Sequence, residues 1–130
     1  MGPRILVVDD SPFFRQLLEP TLTAAGYHVT AVGSAAEALL LADERMQFDV
    51  VVSDIDMPDM DGIAFVSKLR ASHAWSALPV IALTGQATAP QVEAGRAAGF
   101  TDYVRKFERE PLLASLRQCL AARVDSRPFA

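Results

Sequence analysis

The stretch VVVSDIDMPDMDG, residues 50–62, runs its valines straight into Asp54, Asp56, Asp59 and Asp61. Val50, Val51 and Val52 have the unbroken apolar character of a parallel strand covered on both faces. Asp59 and Asp61 read as solvated turn or cap residues, because a short carboxylate closes turns onto its own backbone. Asp54 is different, since it still belongs to the strand. A buried strand that delivers a carboxylate at its tip needs something to offset that charge, and the rest of the chain indicates what.

Working outward, the same alternation of apolar run and helical segment recurs. RILVVDD (4–10) reads as a strand ending in Asp9 and Asp10. Ser11-Pro12 then opens a helix, with a capping side chain followed by proline in the first turn. Phe13, Phe14, Leu17, Leu18 and Leu22 recur at helical spacing, and Gly26 closes the segment. Pro20 interrupts that pattern. It removes one backbone hydrogen bond at about 3 kcal/mol, so the helix must kink or rely on packing. YHVTAVG (27–33) is a second strand, and Ser34 with Glu37 forms a capping box for a helix running toward Arg45.

FDVVVSD (48–54) is the third strand. Beyond the acidic loop, Ile63, Phe65, Val66 and Leu69 mark a third helix. LPVIALT (78–84) is a fourth strand, and a fourth helix runs from Pro90 to Gly99. TDYVRKF (101–107) is a shorter, more polar fifth strand suited to a sheet edge. Glu110-Pro111 opens a last helix with Leu112, Leu113, Leu116 and Leu120 facing inward. The expected domain is single, residues 1–130, with a core over about 4–122 and a tail over 123–130. Strands alternating with helices imply an α/β (βα)5 doubly wound parallel sheet joined by right-handed crossovers.

Composition narrows the function classes. The 130 residues are 51% apolar and 22% charged, with a net charge of −4. That balance argues against nucleic-acid binding, which requires a basic face. No apolar run approaches the roughly 18 residues of a membrane span, and no basic start precedes an apolar secretory core. The single cysteine, Cys119, has no internal partner, so a reducing cytoplasm is the default setting. It lies on the inward stripe of the last helix and reads as a small core residue.

In doubly wound sheets, ligands bind beyond the carboxyl ends of the strands. The notable polar residues all fall there: Asp9 and Asp10 after the first strand, Asp54 after the third, Thr84 after the fourth, Lys106 after the fifth. Crowded carboxylates repel one another and persist chiefly around a cation. Oxygen donors without a nearby His or Cys cluster point to a hard ion, and magnesium fits best. Asp10 and Asp54 are the expected direct ligands, with Asp9 direct or through water. A carboxylate can also act as a nucleophile and carry phosphate, and Asp54 is best placed to do so. Lys106 and the Thr84 hydroxyl would then hold phosphoryl oxygens. Gly62 allows a close turn near the site, and Met57-Pro58 stiffens the loop.

VVDD, SDIDMPDMDG, ALTG and VRKF, in that order and on these elements, resemble the receiver domains of two-component signalling, the CheY-like family. The likeness runs from about Arg4 to about Ala122. It implies a flavodoxin-like sandwich with strand order 2-1-3-4-5. It also implies a phosphoacceptor that promotes only its own phosphorylation and dephosphorylation, rather than an enzyme acting on other substrates. The implied donor is a phosphohistidine on a histidine kinase, and the implied recipient is a downstream protein partner or phosphatase; charge balance and the lack of a long apolar run already argue against nucleic acid and membrane as partners. The backbone carbonyl of Asp56 becomes a third protein ligand to magnesium. Tyr103 becomes the aromatic switch that changes rotamer as Thr84 moves toward phosphate. Asp56 and Gln86 flank the approach of water to the acyl phosphate.

DYVRKFERE (102–110) is similar to receivers attached to CheA-type chemotaxis kinases. One departure stands out: the family usually follows the lysine with proline in a cis peptide, and this chain has Lys106-Phe107. A cis bond before a non-proline residue costs about 3–4 kcal/mol, so a trans bond and an altered loop are expected.

Other readings of the same residues exist. Asp9 and Asp10 could end a strand and cap a helix. Thr84 and Lys106 alone would be ordinary strand-end and surface residues, and Tyr103 could be edge packing. His28 and His73 lack a partner pattern, and Trp75 fills a loop. DIDMP (54–58) could serve a haloacid-dehalogenase-like phosphatase with Asp56 as general acid, but that motif normally ends a first strand. A receiver-fold interaction module that is never phosphorylated is the remaining alternative. The oligomeric state is not encoded in any of these patterns.

Overall fold

The computed structural model describes residues 2–44, 46–55, 60, 62–72, 75–85 and 89–126. Its elements alternate throughout: β1 (Arg4–Val8), α1 (Pro12–Ala24), β2 (His28–Val32), α2 (Ala35–Asp43), β3 (Val50–Asp54), α3 (Gly62–Ala71), β4 (Val80–Thr84), α4 (Ala89–Ala98), β5 (Asp102–Arg105) and α5 (Arg109–Ser126). The strands form one parallel sheet in the order β2-β1-β3-β4-β5. The α/β architecture and strand order agree with the expectation, and the polar fifth strand is indeed at an edge.

Strand alternation divides the core in two. Leu6, Val8, Val51 and Ala82 pack on one face with Ala38 and Ala42 of α2 and Phe65, Val66 and Leu69 of α3. Ile5, Val7, Val52 and Leu83 pack on the other with Phe14, Leu18 and Leu22 of α1 and Leu112, Leu116 and Cys119 of α5. β1, β3 and β4 therefore carry buried residues on both faces, as parallel central strands must. The helices cover both faces of the sheet, and Asp9, Asp10 and Asp54 lie at the carboxyl ends of β1 and β3.

Local signals act as the sequence implied. Ser11 caps α1 by accepting from the Phe14 N–H, and Ser34 caps α2 by accepting from the Glu37 N–H at 3.1 Å. The Glu37 carboxylate reaches back to the Gly33 N–H. Gly26 follows α1 at φ 98°, in the left-handed region where glycine carries no Cβ penalty. α1 stays one helix through Pro20, which sits on its exposed side while Phe14, Leu18 and Leu22 hold it to the sheet. Among the α1 apolar residues, Phe13 and Leu17 are exposed and so lie outside that inward stripe.

α5 continues through Ser126, into the stretch expected to be tail, because Ala121, Ala122 and Arg123 favour helix and the first breaker is Pro128. Trp75 is buried, stacks edge-on against Phe48 and donates to the Met46 carbonyl at 2.9 Å. No helix among the described residues is long and apolar enough to cross a membrane.

Cys119 is buried against the sheet. Burial pushes its thiol pKa up, as does the Asp102 charge, against a smaller opposing pull from Ser115. Thiolate is the reactive form, so a disulfide reagent should label Cys119 in denaturant and leave the native protein nearly unlabelled over the same time. Equal labelling rates would place the thiol at the surface.

Candidate functional site

Asp9 follows directly on β1. Its backbone N–H extends the β1–β2 ladder to the Val32 carbonyl, and its own carbonyl accepts from the Arg15 guanidinium. The side chain is wholly buried. Oδ1 accepts from the Ser11 N–H at 2.8 Å, and Oδ2 lies 3.0 Å from Lys106 Nζ. The latter is an ion pair only: Oδ2 is a buried oxygen that accepts no aligned hydrogen bond among the described residues. Asp10, the next residue, is exposed.

Asp54 ends β3 with 2% of its surface exposed. β3 is the central strand, between β1 and β4, so its tip emerges beside the ends of both. One carboxylate oxygen each from Asp9, Asp10 and Asp54 lies within 4.8 Å of the others. Gly62 makes the return from the acidic loop possible. Its N–H donates to the Ile55 carbonyl at 2.7 Å, and a Cβ there would come 2.7 Å from the Ile55 Cα.

Lys106 completes the cluster. Its N–H donates to the Thr84 carbonyl at 2.9 Å, continuing the β4–β5 ladder, and its ammonium sits 3.0 Å from both Asp9 Oδ2 and Asp54 Oδ2. Burial draws the Lys106 pKa down, but Asp9 and Asp54 draw it up more strongly, and the net shift is upward. Thr84 is buried at the end of β4, one residue beyond the Leu83 that pairs with Asp54. The residues expected to share a site therefore do converge: Asp9, Asp10, Asp54 and Lys106 by distance, Thr84 by register. Asp56, Met57, Pro58, Asp59, Asp61, His73 and Gln86 lie outside the described residues.

Tyr103 is half-buried on β5, opposite Ala82, and stacks edge-on against Phe100. Its ring rests on α4 at Gly95, where a Cβ would fall 1.7 Å from the Tyr103 hydroxyl oxygen. Desolvation raises its phenol pKa, against a smaller downward pull from Arg96. Beside it, Asp102 accepts from the Ser115 hydroxyl at 2.6 Å, which ties β5 to α5.

Three neighbours of the site were not legible as site residues. The Lys106 ammonium stands over the Phe14 ring, 4.9 Å from its centroid. Phe107 meets Phe14 edge-on at 5.2 Å. No cis peptide occurs among the described residues, and Phe107 instead takes φ 67°. For a bulky residue that conformation costs about 1–3 kcal/mol. Helical spacing marked Phe14 only as core, and the Lys-Phe departure was the only hint at Phe107. Gly95 carried no signal, because a glycine inside a helix does not say which ring it accommodates.

Comparison with known proteins agrees with this geometry. The family model for the response regulator receiver domain matches residues 5–117. The two-component response regulator ORR24 of rice (Oryza sativa subsp. indica) is 40% identical over 119 residues, which are 91% of this chain and 18% of the rice protein. The chain thus spans about a fifth of that relative's length. The chemotaxis protein CheY4 of Vibrio cholerae superposes with a TM-score of 0.86 at 36% identity, over 92% of this chain and 100% of CheY4. The receiver domain of the sensor histidine kinase PA1611 of Pseudomonas aeruginosa, whose structure holds a magnesium ion in its active-site cleft, superposes at 0.84 with 33% identity, over 93% and 99% of the two chains. With the family model covering most of its length, and with its acids, lysine and sheet order in place, the chain belongs to the response regulator receiver domain family.

Proposed function

We propose that the chain is a phosphoacceptor switch in which Asp54 takes a phosphoryl group from a phosphohistidine of a histidine kinase, with magnesium required. The carrying observation is the placement of Asp54: a buried carboxylate at the tip of the central strand, facing one ammonium and two further acids. The donor set fits a hard divalent ion, because it is all carboxylate and because Asp9 Oδ2 is buried without an aligned donor. Asp9, Asp10 and Asp54 would hold the ion, joined by the Asp56 carbonyl that family likeness implies. Bound there, magnesium supplies positive charge against the phosphoryl oxygens.

The chain's own residues do the rest. An Asp54 oxygen forms the new P–O bond as the P–N bond to the donor imidazole breaks, and the electron pair leaves with that nitrogen. Lys106 offers its ammonium to the charge on the outer oxygens, and the Thr84 hydroxyl donates to another. Because Lys106 and Thr84 are joined through a continuation of the β4–β5 ladder, their response to phosphate reaches Tyr103 on β5. The α4–β5–α5 surface then changes its affinity for a downstream protein or phosphatase. A chemotaxis-type relay is the specific setting this reading favours, on the likeness to CheY4 and of DYVRKFERE to chemotaxis-kinase receivers. A haloacid-dehalogenase-like phosphatase loses ground, since DIDMP begins at the end of β3 rather than β1.

Incubation with acetyl phosphate and magnesium, followed by intact-mass measurement, tests the reading. Wild type should gain the mass of one phosphate, and Asp54→Ala should gain none. No gain on wild type, or an equal gain on Asp54→Ala, rejects it in favour of an unphosphorylated binding module. The switch is tested separately by beryllofluoride with magnesium, which should shift backbone NMR signals at Thr84 and Tyr103; a response confined to Asp54 and its neighbours rejects it.

Electrostatics adds a reversal. Without divalent ions Asp10 is only a like charge beside Asp9 and Asp54, so Asp10→Asn should stabilise by roughly 1 kcal/mol, as exposed charges interact weakly. Millimolar magnesium should then raise the wild-type melting temperature more than that of Asp10→Asn, because an ion bound only by the folded state adds stability by linkage. Equal magnesium responses would remove Asp10 from the ligand set.

A further inference from the structure

Phe107 is 68% exposed, and a bulky residue at positive φ has no steric reason to be where glycine or asparagine would sit without strain. Among the described residues, it makes an aromatic contact with Phe14. Its ring meets the Phe14 ring edge-on, interplanar angle 90°, in the favoured T-shaped arrangement. Phe14 in turn is fixed. It is 3% exposed, its N–H is held by the Ser11 cap, and it packs with the α1–α5 core. Its face carries the Lys106 ammonium. An aromatic face attracts a cation through its quadrupole, so the chain sets Lys106 on three supports: Asp9, Asp54 and the Phe14 ring.

Lys106 and Phe107 are also adjacent in sequence. The backbone that places the Phe107 ring against Phe14 is the backbone from which the Lys106 side chain springs. Where that ring rests therefore fixes the direction in which the lysine leaves the strand.

We propose that Phe107 and Phe14 form an aromatic brace that positions the Lys106 ammonium for phosphoryl transfer, with Phe107 a positioning residue that trades backbone strain for that ring contact. The proposal deepens the phosphoacceptor reading and rests on it for its kinetic arm only. It gives a role to the position at which this chain departs from the Lys-Pro pattern: the lysine is aimed by ring packing at a trans peptide. Mere surface packing by Phe107 would leave Lys106 unaffected by its removal, and this separates the two.

Three variants of the full chain carry the test. Phe107→Gly removes the ring and relieves the positive φ, so it should fold at least as well by backbone criteria. Phe14→Leu keeps apolar volume but removes the π face. Phe107→Tyr keeps ring and edge. The first readout is NMR of the unphosphorylated protein: the Lys106 ε-methylene protons should be shifted upfield by the Phe14 ring current. That shift should vanish in Phe14→Leu, shrink in Phe107→Gly and persist in Phe107→Tyr.

The second readout is the rate of phosphate incorporation from acetyl phosphate at saturating magnesium. The maximal rate should fall by roughly threefold or more in Phe107→Gly and Phe14→Leu, the scale of one cation–π contact. The half-saturating donor concentration should stay unchanged, and Phe107→Tyr should restore the rate. A Lys106 signal unmoved in Phe107→Gly, or a rate unchanged there, overturns the brace. If wild type takes up no phosphate, the phosphoacceptor reading fails instead, and the NMR comparison alone still decides whether the rings hold the lysine.

Discussion

In metal-free buffer at neutral pH, Lys106→Met should lose about 2–3 kcal/mol of unfolding free energy in urea titrations. The expectation comes from what the substitution leaves behind. Asp9 and Asp54 each face the same ammonium at 3.0 Å, and neither has meaningful access to water. Removing one partner of a buried ion pair costs about 3–5 kcal/mol, because the other charge remains desolvated. The lysine side chain keeps 17% exposure, so some of its contribution is already screened and the expected loss falls at or below the bottom of that range. Asp9→Asn in the Lys106→Met background should recover much of the loss, with a coupling of about 1–3 kcal/mol in the double-mutant cycle. A cycle that closes additively would mean that Lys106 does not hold these carboxylates together.

The same variant has a pH signature. The Lys106 pKa is raised in the folded protein, so its stabilisation is fully present below the ordinary lysine value and disappears as pH climbs through the raised one. Wild type and Lys106→Met should therefore differ most near neutrality and converge at alkaline pH. Magnesium should narrow the gap at neutral pH by a different route, since a divalent ion among the acids supplies some of the charge that the lysine had supplied. Divergence of the two curves toward alkaline pH would reverse the sign of the assignment.

Why Asp54 was legible and Phe14 was not is a matter of pattern length. A carboxylate at the tip of an apolar strand violates the local rule for buried strands, so the residue draws attention by itself. Asp9, Thr84 and Lys106 gained meaning from recurrence at the same end of successive strands, which the βα alternation reveals without any coordinates. The fold followed for the same reason: short apolar runs, Ser11 and Ser34 as caps, and Gly26 and Gly99 as stops are local signals that agree with one another. Contacts between side chains far apart in sequence leave no such trace. Phe14 obeys the helical stripe, and nothing in that stripe says its face meets the lysine that follows β5. Phe107 broke a family pattern, which marked the place but not the compensation. The end of α5 left no sharp trace, because Ala121, Ala122 and Arg123 favour helix and no strong breaker precedes Ser126.

Gly95→Ala should be destabilising by about 1 kcal/mol, against the direction that helix propensity alone dictates. Glycine in a helix interior is about 1 kcal/mol worse than alanine, so the substitution would ordinarily stabilise α4. Here the new methyl would fall 1.7 Å from the Tyr103 hydroxyl oxygen and 2.4 Å from its Cζ. A rigid ring cannot yield that much in place, so it must swing off the helix and give up its partly buried seat beside Phe100. In a Tyr103→Ala background the obstacle is gone, and Gly95→Ala should stabilise by about 0.5–1 kcal/mol. The change of sign between backgrounds is the diagnostic, and it needs no knowledge of the unfolded state beyond additivity.

The functional consequence follows from the same contact. If Tyr103 reports phosphorylation by leaving or taking its seat on α4, an alanine at 95 removes one of its two positions. Its ring signals should then stop responding to beryllofluoride and magnesium, while Asp54→Ala remains the only one of the two variants to lose phosphate uptake. A Tyr103 ring that still responds in Gly95→Ala would show that the switch, if it turns, turns somewhere other than on that glycine.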